Sequence, residues 1–209
     1  AEAARALVGR LVRGRPHIVQ QGVALARYLG RPFDLRVTVQ RGGSGGWHVT
    51  GMFGKLAKAG RHVTNLARGG RAMRPGPLLA ACFARPQEVK AEVERVALAA
   101  AQRAAEKLPG IADLGLDVGL DAAGRPYIIE MNFRDQRYGF AKAGMARAFR
   151  AAYENPVRYA KRLAEGTPAP RAGASVSRAR FAAARAVPAR SRRAGSPLRT
   201  GAALSNLVQ

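Results

Sequence analysis

Leu114-Gly-Leu-Asp-Val-Gly-Leu-Asp-Ala-Ala-Gly-Arg-Pro-Tyr-Ile-Ile-Glu-Met-Asn132 decides the fold. It reads as two short strands joined by a tight turn at Asp121-Ala-Ala-Gly124, since Asp opens and Gly closes such turns. The hairpin closes either with Ala123-Gly124 at its tip or with a four-residue loop. In both registers Asp117 lies across from Glu130. Asn132, two residues beyond Glu130, points to the same face. Val118, Leu120, Ile128 and Ile129 are expected to supply apolar packing. Two carboxylates and an amide from one hairpin suit Mg²⁺, which takes a few protein oxygens and leaves room for phosphate oxygens. A surface hairpin with solvated acids is the plainer alternative. Acids are scarce in a chain of formal charge +23, so two that face each other need a partner.

The helix before the hairpin runs from Pro86 to Leu108. Pro86 suits its first turn and Glu88 the positive end of its dipole. Val89, Val93, Val96, Ala100 and Ala104 form the expected buried stripe, which predicts that the helix packs behind the hairpin. Further upstream, Phe33, Leu35, Val37 and Val39 alternate with Asp34, Arg36, Thr38 and Gln40, the pattern of a strand. Gly42–Gly46 is a loop and Trp47–Phe53 the returning strand, so the sheet is antiparallel and its polar face offers Arg36. The glycine loop lacks the Lys-Ser/Thr of a Walker motif and precedes a strand rather than a helix. Ala1–Val12 is a short amphipathic segment. His17–Gln21 is a strand candidate, and Val23–Tyr28 follows as a turn or short helix. Gly69 and Gly70, flanked by Arg68 and Arg71, either expose backbone N–H groups to an anion or form a flexible basic loop.

Beyond the hairpin, Phe133–Phe140 is dense in polar groups. Lys142–Tyr153 predicts a helix. Asn155-Pro156 is a good N-cap and N1 pair for a last helix, Val157–Glu165, with Gly166 at its end. From Thr167 onward the chain holds eight arginines and no acid, and it lacks apolar periodicity. Residues 167–209 are therefore expected to be a disordered basic tail. The single Cys82 excludes an internal disulfide framework, and three scattered histidines with one cysteine make no zinc pattern. With no secretory signal pattern and no apolar run long enough to span a bilayer, a soluble intracellular protein is expected.

Four motifs in order resemble a known family. Asp117 followed by Glu130-Met-Asn132 resembles the metal-ligand signature of the ATP-grasp superfamily, which includes carboxylate–amine ligases. Ile18-Val-Gln-Gln-Gly-Val23 resembles its hinge strand. Phe33-Asp-Leu-Arg36 resembles its Asp-(Leu/Ile)-Arg strand. Thr64-Asn-Leu-Ala-Arg-Gly-Gly70 resembles its Asn-Leu-His-Arg-Gly-Gly loop, with Ala67 in place of the usual His. Gln20-Gln-Gly-Val23, Asn132–Phe140 and Glu154–Ala160 are similar to the YheC/YheD-like branch, the endospore coat-associated proteins.

The resemblance implies an α+β fold, the C-terminal lobe of an ATP-grasp domain over residues 1–166, with an antiparallel sheet flanked by helices. The N-terminal lobe of the family is expected to be missing. It implies ATP and Mg²⁺ as cofactors and an unidentified carboxylate or amine substrate. Asp117, Glu130 and Asn132 would hold Mg²⁺. Arg36 and Lys55 would act on the phosphates, with Asn65 and Arg68 beside them. The backbone of Gln21 and Val23 would read adenine, and Arg134 and Arg137 would contact the acceptor. The implied activity is ATP-dependent carboxylate–amine ligation through an acyl phosphate, in the cytoplasm or with the spore. Two alternatives compete. One is a non-catalytic spore coat-associated protein that keeps the fold. The other is a basic nucleic-acid binder acting through the tail, whose affinity would fall steeply with salt.

Overall fold

Strand β2 (Arg31–Arg41) is the middle of the molecule and is buried along most of its length. In a computed structural model, which describes residues 2–12, 18, 20–133 and 135–166, it pairs with β3 (Trp47–Leu56) on one side and β5 (Asp113–Leu120) on the other. β4 (Arg71–Met73) extends the sheet beyond β3, and β6 (Pro126–Asn132) extends it beyond β5. The order is β4-β3-β2-β5-β6, with the two-residue β1 (Arg27–Tyr28) also on β2, and every pairing is antiparallel. The described residues all fall within one unit, Ala1–Ala172, and open with helix α1 (Glu2–Val12).

The alternation of β2 divides the chemistry between two faces. Phe33, Leu35, Val37 and Val39 are fully buried with Leu114, Leu116, Val118 and Leu120 of β5. Against them pack Leu78 and Leu79 of α2 (Pro75–Cys82) and Val93, Ala97 and Ala101 of α3 (Pro86–Lys107). Of the line expected on α3, Val93 is buried and Val89, Ala100 and Ala104 pack against this core. Ala97 and Ala101 are fully buried and Val96 lies outside the core cluster, because alanines let a helix approach a sheet more closely than valines do. At the hairpin turn Gly124 has φ +78°, and a Cβ there would come within 2.7 Å of Val89 Cγ2. Ile128, expected to pack, is 37% exposed on the outer strand β6.

The opposite face carries Asp34, Arg36, Thr38 and Gln40. It is partly covered by α4 (Tyr138–Lys142) and α5 (Ala146–Ala164) through a small cluster of Phe53, Phe140 and Ala152. The Phe53 and Phe140 rings meet edge to face at 5.0 Å. Helix α5 corrects the expectation of a break at Asn155, since it runs unbroken with Pro156 inside it. Proline lacks the N–H that would bond the carbonyl four residues back. That carbonyl belongs to Ala152, and Gln40 Nε2 donates to it at 2.9 Å. Asn155 is thus no cap. Its amide donates to Gln40 Oε1 at 3.3 Å and Thr50 Oγ1 at 3.0 Å.

The strand expected at His17–Gln21 is not formed at Ile18, Gln20 or Gln21, and the other two positions lie outside the described residues. Gln20 reaches β6 with its side chain instead of a ladder, donating to Ile129 O at 3.2 Å. Val23–Ala26 is irregular and leads into β1. The expected tail, 167–209, and Arg134 also lie outside the described residues.

Gln40→Leu is expected to destabilise the fold by about 1–3 kcal/mol in urea unfolding, because it leaves the Ala152 carbonyl buried without a donor. Adding Pro156→Ala should restore an intrahelical bond and recover about 1 kcal/mol of that loss. No recovery would contradict this account of α5.

Candidate functional site

Antiparallel register builds the site. Arg36 of β2 lies opposite Asp117 of β5, and Asp117 lies opposite Glu130 of β6. Two residues along β2, Asp34 faces Lys55 of β3. Asn132 pairs with Gly115, and a bulge beside Asp117 leaves Ile129 out of the ladder. Directly opposed residues share a face, so these polar side chains come together without any loop to carry them. They line a cleft of about 390 Å³, roofed by Thr64, Asn65 and Tyr138. Of the residues expected at the site, the cleft gathers Arg36, Lys55, Asn65, Asp117, Glu130 and Asn132. Gln21, Val23 and Arg68 do not line it.

The floor is a chain of alternating charges. Asp34 Oδ1 lies 3.3 Å from Lys55 Nζ, which lies 2.9 Å from Asp117 Oδ1. Arg36 donates to Asp117 from Nε at 2.7 Å and from Nη2 at 3.2 Å. Its remaining arm, Nη1, donates to Asp135 Oδ1 at 2.8 Å. A guanidinium fork gripping one carboxylate and backed by another has a fixed orientation. Burial alone would raise the Asp117 carboxyl, yet Arg36 and Lys55 outweigh it and hold the group below its ordinary value. Burial works against the Arg36 charge too, and Asp117 followed by Asp135 more than compensates. Asp34 goes the other way. Burial pushes it up to about 6 despite Lys55 and a hydrogen bond from Thr64 Oγ1 at 2.7 Å.

Asp135 is absent from the residues singled out in the sequence. Its side chain is fully buried, and it also accepts from Thr38 Oγ1. Gly115 makes room for it, since a Cβ there would stand 2.5 Å from Asp135 Oδ1. The sequence hints at it only through the polar run Asn132–Phe140, which resembles the family without pointing to a particular side chain. Arg137, expected at the acceptor, instead pairs with Asp113 and lies over the Tyr153 ring at 5.0 Å. The anion nest at Gly69-Gly70 is also corrected. Gly69 N–H donates to Leu66 O and Gly70 N–H to Asn65 O, so the loop consumes both donors itself. Asn65 Oδ1 accepts from Ala67 N at 2.8 Å.

The donor set fits a hard divalent cation. Asp117 and Glu130 would supply carboxylates and Asn132 an amide oxygen, which are donors of the kind such an ion takes. Among the described residues no three His, Cys, Asp or Glu side chains form a metal-binding group, so a site here would rest on two carboxylates and the Asn132 amide. Among the same residues no helix is long and apolar enough to cross a membrane.

The family model described as YheC/D like ATP-grasp matches residues 1–163. The endospore coat-associated protein YheD of Bacillus subtilis (strain 168) is 28% identical over 152 residues, covering 71% of this chain and 33% of that protein. The chain thus spans about a third of this relative's length.

Asp34 gives a pH signature. Below 3.8 both folded and unfolded chains hold its proton, and between 3.8 and about 6 only the folded chain keeps it. Stability therefore falls as pH rises through that window, by about 3 kcal/mol at about 1.4 kcal/mol per unit. Urea unfolding should show the wild type losing about this much relative to Asp34→Asn between pH 4 and pH 7. A difference independent of pH would contradict the assignment.

Proposed function

The chain belongs to the YheC/D-like ATP-grasp family, and on that premise we propose that its cleft binds Mg-ATP and serves ATP-dependent carboxylate–amine ligation. The observation that carries this is the single cross-strand row of Arg36, Asp117 and Glu130, with Asn132 beside it. Asp117, Glu130 and Asn132 would hold Mg²⁺, which when bound neutralises the charge building on the transferred phosphoryl group.

The residues of this chain have separate tasks in such a reaction. A substrate carboxylate attacks the γ-phosphate of ATP, its oxygen forms the new P–O bond, and ADP leaves. An amine then attacks the acyl phosphate and displaces inorganic phosphate. Both steps depend on positioning. Arg36 is oriented by Asp117 and Asp135, and it is the group placed to bind the transferred phosphoryl oxygens. Lys55 and Asn65 supply further donors from the cleft wall. The backbone of Gln21 and Val23 would meet adenine. The Gln20 bond to Ile129 O supports this by bringing that segment to a residue that lines the cleft. No side-chain nucleophile is required.

The relative's name links that protein to the endospore coat, and we extend a coat-associated setting to this chain as part of the proposal. The substitution of Ala67 for a histidine favours a second reading, a coat protein that keeps the fold without turnover. Nucleotide binding without ligation would distinguish it.

Glu130 is exposed and outside the ion-pair chain. Glu130→Gln should leave the melting temperature unchanged while weakening Mg-ATP binding by about tenfold or more in calorimetry. Unchanged nucleotide affinity and metal dependence would overturn the proposal.

A further inference from the structure

One oxygen of Asp117, Oδ1, is shared by two of the protein's own cations. Asp117 Oδ1 accepts from Arg36 Nε at 2.7 Å and from Lys55 Nζ at 2.9 Å. Oδ2 accepts from Arg36 Nη2 at 3.2 Å. A Mg²⁺ ligand must turn a lone pair to the ion at close range. Three donors already fill three of the carboxylate's roughly four lone-pair sites, both of those on Oδ1, so an ion that takes Oδ1 displaces one of them.

Arg36 is built to stay. It grips Asp117 with two nitrogens, its third is held by the buried Asp135, and Gly115 keeps the space that Asp135 fills. Lys55 is built to leave. An ammonium is a point charge on a flexible stem, so it loses little by changing partner. A second carboxylate stands directly opposite it in the sheet, Asp34, 3.3 Å away. Asp34 Oδ2 is occupied by Thr64 Oγ1, whereas Oδ1 is buried with no hydrogen bond of its own. That oxygen can receive the ammonium at closer range.

We propose that Lys55 is an exchangeable counter-cation, which neutralises Asp117 until a divalent cation binds and then transfers to Asp34. This rests on the metal reading of the cleft and adds a moving part to it. Lys55 and Arg36 offset the repulsion between Asp117 and Glu130, which face each other across the ladder. The entering ion replaces one positive charge on Asp117 with two, and the displaced ammonium stays inside the cleft instead of entering water. Asp34 and Thr64 become positioning residues for that second seat. Metal affinity is then set partly by the Lys55–Asp117 contact that must break.

The test uses the whole chain with Mg²⁺ or Mn²⁺ alone and no nucleotide. In wild type labelled with ¹⁵N-lysine, the Lys55 Nζ resonance, traced through its own side chain, should shift as Mg²⁺ saturates. This arm requires no substitution to fold. Lys55→Met should bind Mn²⁺ about tenfold more tightly than wild type, because its competitor is gone. Binding of the ion with a stationary Lys55 resonance, or with no gain in Lys55→Met, overturns the exchange and leaves the metal site standing. No binding to either protein overturns the metal site and the exchange together.

Discussion

The bidentate contact between Arg36 and Asp117 is the constraint from which the site follows. It joins the two central strands across their ladder, and a slip of one residue in either strand would turn its own side chain to the opposite face and part the pair. Taking such a pair out of water costs free energy, which the contacts among Arg36, Asp117, Lys55 and Asp135 offset. Its value here is orientation. With Asp135 behind it, the guanidinium has one direction in which to present its edge, and Asp117 has one oxygen shared with Lys55. Each neighbouring charge is then arranged around that pair.

The two faces of β2 divide the work. The apolar face is closed by α3, whose alanines permit close approach and a rigid floor. The polar face is covered only toward one end by α4 and α5, which leaves the other end open as the cleft. Gln40 anchors that cover, since it fills the donor that Pro156 removes and also donates to Asp113. Asp113 in turn holds Arg137, at the start of α4. The polar row of β2 thus runs from a structural end at Gln40 to a chemical end at Asp34.

Much of this was legible because β-strand periodicity fixes which residues share a face. The polar row through Arg36 follows from alternation, whereas Asp117 reaches Glu130 only through the bulge at Ile129, because the strands leave the turn one residue out of the expected register. Family membership agrees with the ordered motifs. What failed to show was anything set by distant partners. Asp135 comes from a loop after β6, and the pocket that accepts it exists only because Gly115 lacks a side chain. Pro156 reads locally as a helix start, yet a glutamine more than a hundred residues away satisfies the carbonyl that it orphans. The glycine pair at 69–70 offers donors in sequence, and the fold of its own loop uses them. The choice of Ala97 over Val96 for the core depends on how near α3 lies to the sheet, which no single-helix pattern contains.

Paramagnetic broadening by Mn²⁺ in the presence of ATP tests most directly whether the ion sits where the hairpin strands meet. With substoichiometric Mn²⁺, the backbone amides of 115–117 and 130–132 and the side-chain amide of Asn132 should broaden first. The amides of α3, across the sheet, should persist. Broadening that is uniform, or that begins on α5 or α3 while the Asn132 amide stays sharp, would contradict a divalent cation held by Asp117, Glu130 and Asn132.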